Sequence, residues 1–340
     1  MNRRMRRKRP FYGFFRLICL FSGLAIDPAG AEAVRVFVHP VALQADNPGR
    51  VKVGRLVYRG GIELRSRHER FGGISGLHVS ADGRRLVAVS DVGRWITGRL
   101  TYDKRGQLTG LERVRMDRLL RPGGGRLRWR ERDAEALALL PGGRFAVGFE
   151  GKPRIWVYPR SRTPFAAPPR AIQVPKGLSF ASGNAGLEAL TALSRGRLFA
   201  LAEDLAANGG ADVGTHAGWI QNGRGWTALA YDRRSVWRPT GAATFPAGTR
   251  HAGDVLVVER ALFLFAGFQT RIMHLPLADV RPGKTMKPVE LATLAGPMTV
   301  DNFEGIAARR GPKGETLIYI VSDDNFRAGQ RTLLMMFALP

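Results

Sequence analysis

Gly186-Leu187-Glu188-Ala189-Leu190 opens a short apolar run that breaks at Arg195-Gly196 and resumes as Arg197-Leu198-Phe199-Ala200-Leu201. Two apolar runs of strand length around a glycine, which supplies the positive φ of a tight turn, read as a β-hairpin. The unit recurs on both sides. Upstream stand Gly73-Ile74-Ser75-Gly76-Leu77 with its turn at Asp82-Gly83, and Asp133-Ala134-Glu135-Ala136-Leu137 with its turn at Gly142-Gly143. Downstream stands Asn302-Phe303-Glu304-Gly305-Ile306 with Lys313-Gly314. A weaker copy is Gly253-Asp254-Val255-Leu256-Val257-Val258-Glu259, whose partner by the same offset is Thr244.

The second run of each unit ends in an acidic or hydroxyl residue. Ser75 to Ser90, Glu135 to Glu150 and Glu188 to Glu203 each span 15 positions, and Glu304 to Ser322 spans 18 because Gly311-Pro312-Lys313 lengthens the turn. Units starting near 75, 135, 188, 244 and 304 leave room for four strands apiece. Further runs fill several of them: Trp95 to Tyr102, Leu108 to Met116, Arg154 to Tyr158 and Ala171 to Val174. Repetition of this kind predicts an all-β β-propeller of about five four-stranded blades, six being possible. The last unit shows three strands, ending at Leu333 to Phe337, so an N-terminal strand, Arg50 to Tyr58, is expected to close the ring and hide an open edge. No long helical period separates the strands, which disfavours a parallel α/β fold. Leu205 to Thr240, with Trp219, Trp226 and Trp237, departs from the pattern and reads as an elaborated blade or a lid.

The N-terminus has the order of an export signal. Arg3, Arg4, Arg6, Arg7, Lys8 and Arg9 precede an apolar stretch from about Leu17 to Ile26, and Ala31-Glu32-Ala33 has the form of a cleavage site. The apolar part is about ten residues, against the roughly 20 that span a bilayer. Residues 1–33 are therefore expected to be a cleaved signal peptide and 34–340 one propeller domain, periplasmic or secreted, with no transmembrane anchor after cleavage. The one cysteine, Cys19, lies in the leader, so the mature chain has no disulfide framework and rests on its buried core.

The whole chain carries +25. Without the seven cations and two acids of residues 1–33, about +20 remains. Such a balance favours an anionic partner, and an anionic small-molecule substrate is the expected one. The basic residues are scattered, and no helix-turn-helix, zinc-finger or RNP-like pattern accompanies them, so nucleic acid is not an expected partner.

Phe71-Gly72-Gly73-Ile74-Ser75-Gly76-Leu77 with Ser90-Asp91, the Glu135 and Glu188 motifs, and Asp301-Asn302-Phe303-Glu304-Gly305-Ile306 with Ser322-Asp323-Asp324-Asn325-Phe326 resemble the bacterial phytase-like family with esterase-like activity. The resemblance runs from about Phe71 to Pro340. It implies a propeller, an exported protein and hydrolysis of phosphoesters or other esters. It carries over no catalytic residue, and the calcium of propeller phytases enters as analogy.

Inner strands of a propeller converge on a central channel, so equivalent repeat positions form rings. Glu135, Glu188 and Glu304 are expected in one ring and Glu150, Glu203 and Glu259 in a second, with Asp91, Asp204, Asp323 and Asp324 just beyond. Clustered carboxylates repel unless a cation or hydrogen bonds neutralise them, and an all-oxygen set suits Ca²⁺ or Mg²⁺. Three roles stay open: clips accepting backbone N–H groups of a neighbouring blade, a metal or ligand ring, and direct acid–base catalysis. Ser75 lacks the second glycine of a nucleophile elbow, since Leu77 stands there. The six histidines have no metal-binding spacing, although His216 and His251 could reach one face. The leading expectation is a divalent-cation-dependent ester or phosphoester hydrolase. Its rivals are a non-catalytic periplasmic binding or scaffold propeller and, without any cofactor motif, a propeller dehydrogenase.

Overall fold

The structure is a computed structural model that describes residues 31–160, 167–181, 186–207, 214–223 and 225–340. Most of the expected leader lies outside the described residues. Ala31–Pro340 forms one unit, and among the described residues no helix is long and apolar enough to cross a membrane.

Five blades, each built on antiparallel strands, form the ring. Their inner strands are Ile74–Val79, Ala134–Leu140, Leu187–Ala192, Arg238–Thr244 and Phe303–Arg310. The second strands are Arg85–Ser90, Arg144–Phe149, Leu198–Ala206, Val255–Phe263 and Thr316–Ser322. Each inner strand packs on the next, and the fifth returns to the first. Five apolar clusters hold the ring. One contains Trp95, Phe149 and Tyr158 between blades 1 and 2; another contains Phe303, Phe337 and Leu256 between blades 4 and 5. Burial between blades, not within one, stabilises the fold, because a single sheet cannot cover its own faces.

The ring closes through an N-terminal strand, as expected, although that strand begins and ends later than the sequence suggested. Leu56–Ser66 pairs antiparallel with Thr332–Leu339, from Val57 opposite Ala338 to Leu64 opposite Thr332. Of Arg50 to Tyr58, only the last three residues belong to that strand, while Lys52–Val53 folds back on its start. Gly60-Gly61 conceals it: glycine weakens a strand pattern, and here Gly60 has φ +100 where the register shifts between Met335 and Phe337. Val36–Pro40 adds a further strand outside it.

The described residues of Leu205 to Thr240 build strands of a blade that is elaborated by one further short strand, Thr285–Met286. They supply the regular third and fourth strands of blade 3, Thr215–Asn222 and Gly225–Asp232, and the start of blade 4's inner strand. Trp219 is buried, and the Trp226 indole donates to the Gln173 carbonyl.

Candidate functional site

Every inner strand carries one extra residue near its start. Ile74 pairs with Ser90 and Gly76 with Val89, leaving Ser75 unpaired. The register slips in the same way at Glu135, Glu188, Thr240 and Glu304. A β-bulge re-aims its extra side chain, and here all five bulged residues come to one end of the ring axis. Ser75, Glu135, Glu188 and Glu304 line an axial cavity of about 10 Å³, room for roughly one water. The residue after each bulge is small, namely Gly76, Ala136, Ala189, Gly241 or Gly305. The strands crowd there: a Cβ on Gly241 would lie 2.1 Å from the Glu304 carbonyl oxygen.

The bulges also set the second ring. The residue after each second-strand partner occupies it: Asp91, Glu150, Glu203, Arg260 and Asp323. Backbone bonds pin four of these, with the N–H groups of Asp91, Glu150, Glu203 and Asp323 donating to the carbonyls of Gly73, Asp133, Gly186 and Asn302. Two expectations are thereby corrected. Glu259 pairs with Pro239 and points away from the axis, where Tyr231 Oη, at 2.8 Å, and Arg271 Nη2, at 2.6 Å, hold it between blades 3 and 4. Thr244 is at the opposite end of its strand, bonded to the Ala192 carbonyl, and Thr240 takes the bulge. Counting a constant offset from Glu150 and Glu203 missed the longer hairpin of blade 4.

Arg260, which the sequence reading overlooked, is a cation of this mouth. Its Nη2 lies 2.5 Å from Glu203 Oε1 and its Nη1 2.8 Å from Glu304 Oε1, and Nη1 also donates to Asn302. The other acids exceed it. Asp133, Glu135 and Glu150 present carboxylate oxygens within 4.8 Å of one another, and so do Glu150, Glu188 and Glu203. Burial first, then neighbouring carboxylates, raises Glu135 and Glu188 well above the usual range. Burial also pushes Glu304 up to about 8, against the pull of Arg260. Asp91 rises to about 7 through burial and then Asp323, and its Oδ1 is buried with no hydrogen-bond partner among the described residues.

Some acids are clips. Glu150 Oε1 accepts the Gly186 N–H at 3.0 Å, joining blade 2 to blade 3, and Asp324 Oδ1 accepts the Gly73 N–H at 3.0 Å, joining blade 5 to blade 1. Asp204 sits outside the cluster, paired with Arg233 at 2.9 Å and Arg238 at 2.7 Å. His216 Nε2 donates to the Trp237 carbonyl at 2.9 Å at this end of blade 3, whereas His251 belongs to the turn at the opposite end of blade 4, so the two do not share a face.

Next to the acids lies their electrostatic opposite. Arg70, Arg94, Arg118, Arg126 and Arg132 line a depression of about 240 Å³ between blades 1 and 2. Its floor includes Val92-Gly93, which follows Asp91, and Arg132 precedes Asp133. Arg94, Arg118, Arg126 and Arg132 form no salt bridge to a carboxylate among the described residues. Burial, then Arg70, Arg118 and Arg132, lowers the Arg94 pKa against the pull of Asp117, the mark of cations crowded together.

Among solved structures, the virginiamycin B lyase of Staphylococcus aureus is 9% identical, with 90% of this chain and 100% of that one covered at a TM-score of 0.42. A gluconolactonase from Xanthomonas campestris is 10% identical, covering 92% and 99% at 0.38. The catalytic domain of a Coprinopsis cinerea α-L-arabinofuranosidase is 13% identical, covering 84% and 97% at 0.48. Likeness at that level carries no functional argument. No curated protein matches the sequence. Residues 69–326, which contain all five bulges and both rings, match the family described as "Phytase-like: Esterase-like activity of phytase", and the chain belongs to that family.

Proposed function

We propose that this protein is a divalent-cation-dependent hydrolase of phosphate esters or other anionic esters, acting at the carboxylate mouth, with calcium the cation its donors suit. The observation that carries this reading is the pair of oxygen triads sharing Glu150. Calcium takes oxygen ligands at about 2.4 Å, so oxygens up to roughly 4.8 Å apart can share one ion. The unpartnered Asp91 Oδ1 and the excess of acids over Arg260 fit the same group. Asp133, Glu135, Glu150, Glu188 and Glu203 would hold it. A bound divalent ion supplies Lewis-acid polarisation of an ester oxygen and acidifies a water.

The chain's own residues do the rest. The arginine basin beside Asp91 and Asp133 receives an anionic group of the substrate and fixes its orientation, since unpaired guanidiniums offer forked donors to phosphate or carboxylate. Asp91, titrating near neutrality, is the residue suited to accept a proton from the attacking water at working pH. The cavity below the mouth admits no substrate, so chemistry is confined to the rim. Export belongs to the same proposal: the basic start, the apolar stretch and Ala31-Glu32-Ala33 support a periplasmic or secreted protein.

A non-catalytic scaffold propeller is the second reading, favoured by the Arg260 bridge and the Glu150–Gly186 clip. A panel of phosphate and carboxylate esters, assayed in EDTA and with added calcium, separates the two. The hydrolase reading expects an activity that EDTA removes and calcium restores, with Glu188→Gln requiring at least about tenfold more calcium. It also expects calcium to raise the melting temperature of the parent, because a ligand of the folded state stabilises it by mass action. No hydrolysis, no calcium response and a less stable Glu188→Gln would leave the scaffold.

A further inference from the structure

At the opposite end of blade 4, His251 and Asp254 in the turn between the inner and second strands meet His274 on the third strand, Gly267–Leu275, and all three are unrelated to the mouth. His274 Nε2 lies 2.7 Å from Asp254 Oδ2, and His251 Nδ1 lies 3.8 Å from the same oxygen. One ligand atom from each residue falls within 4.8 Å of the others. We infer that His251, Asp254 and His274 form a transition-metal site, with Zn²⁺ as its ion and a fourth position open to solvent.

The donor chemistry differs from that of the mouth. Two imidazoles and a carboxylate are ligands for zinc and its neighbours, not for calcium. Around a tetrahedral zinc with bonds of about 2.0–2.1 Å, ligand atoms lie about 3.3 Å apart. The separations of 2.7 and 3.8 Å bracket that value, so small side-chain rotations suffice.

The site is also preorganised. Asp254 Oδ1 accepts the Leu277 N–H at 2.8 Å, which orients the carboxylate and leaves Oδ2 for the histidines. The turn itself is tied by Phe245 N–H to the Asp254 carbonyl and by Asp254 N–H to the His251 carbonyl. Phe245 packs edge-on against both imidazoles, with ring centroids 5.4 Å from His251 and 5.1 Å from His274. The imidazoles themselves are only 4.3 Å apart. Two histidines so close, sharing one carboxylate, are better satisfied by a cation between them than by two protons. Side-chain exposures of 20% for His251, 9% for His274 and 22% for Asp254 leave one approach open. Arg55 and Arg250 face this group, but both are exposed and screened by solvent.

The test uses the full chain, stripped with EDTA and titrated with Zn²⁺ and separately with Co²⁺. The parent is expected to take up one equivalent of zinc with a raised melting temperature, and to give the visible absorption of tetrahedral Co²⁺. His251→Ala, in an accessible turn, should lose at least about tenfold in affinity together with the cobalt band. Asp254→Asn keeps an acceptor for the Leu277 N–H and removes the charge, so it should fold and bind zinc more weakly. Glu188→Gln, in the mouth, should leave zinc uptake unchanged. A parent without the cobalt band, or zinc affinity unaltered in His251→Ala, would overturn the assignment and leave the cluster as a hydrogen-bonded turn.

Discussion

Raising the pH from 6.5 to 8 without divalent cations should destabilise this protein, and the mouth fixes both the sign and the size. Glu304 titrates near 8 when folded against 4.5 ordinarily, and Asp91 near 7 against 3.8. A group whose folded pKa is raised contributes stability that is complete below its unfolded value and is lost as the pH climbs through the folded one. His78 and His216 act in the opposite sense, because burial holds each near 4 against 6.5; their contribution is complete above 6.5 and is lost on acidification towards 4. His251 is displaced in the same direction. Below pH 6.5 the two sets oppose each other; from 6.5 to 8 each histidine still adds roughly half a kcal/mol as the unfolded imidazole loses its remaining proton, and the carboxyls outweigh them. From 6.5 to 8, Glu304 contributes about 2 kcal/mol at 1.36 kcal/mol per unit, and Asp91 less than about 1. Glu135 and Glu188 push the same way. Urea unfolding in EDTA at the two pH values measures the difference: the midpoint should fall at pH 8 with an unchanged slope. Glu304→Gln should remove about 2 kcal/mol of the fall. A midpoint equal or higher at pH 8 would refute the picture of protonated, buried mouth carboxyls.

Arg260→Met removes the donor that Glu203 and Glu304 share in a buried site, and should cost about 3–5 kcal/mol. Thermal melts of parent and variant check the loss. Deleting residues 34–66 strips the closing strand from Thr332–Leu339 and should give an aggregating protein without cooperative unfolding, read by light scattering and calorimetry. A soluble truncation of equal stability would contradict that closure.

Hairpin strands and their glycine turns were legible in the sequence because each depends on local signals: alternating burial, a positive-φ residue and a run of strand length. The number of blades followed from repetition. What escaped depended on pairing. A bulge shifts register by one, so Glu259 and Arg260 exchange roles between the core and the mouth, and no periodicity within Val255–Phe263 tells which is which. Thr240 was obscured by Pro239 before it and Gly241 after it, which dull the strand pattern. The closing strand was obscured by Gly60-Gly61. The arginine basin draws on residues from Arg70 to Arg132, adjacent only once blades 1 and 2 pack.

The slipped residue at the head of each inner strand separates two kinds of inheritance. Because it is extra to the ladder, its identity is free of the in-out alternation that the blade interfaces demand, and the chain already uses that freedom: Ser75, Glu135, Glu188, Thr240 and Glu304 fill five equivalent places with three different side chains. Each place can therefore be rewritten one blade at a time while the scaffold stays as it is. A propeller built this way changes its chemistry as a combination lock changes its code, by turning one wheel without touching the case.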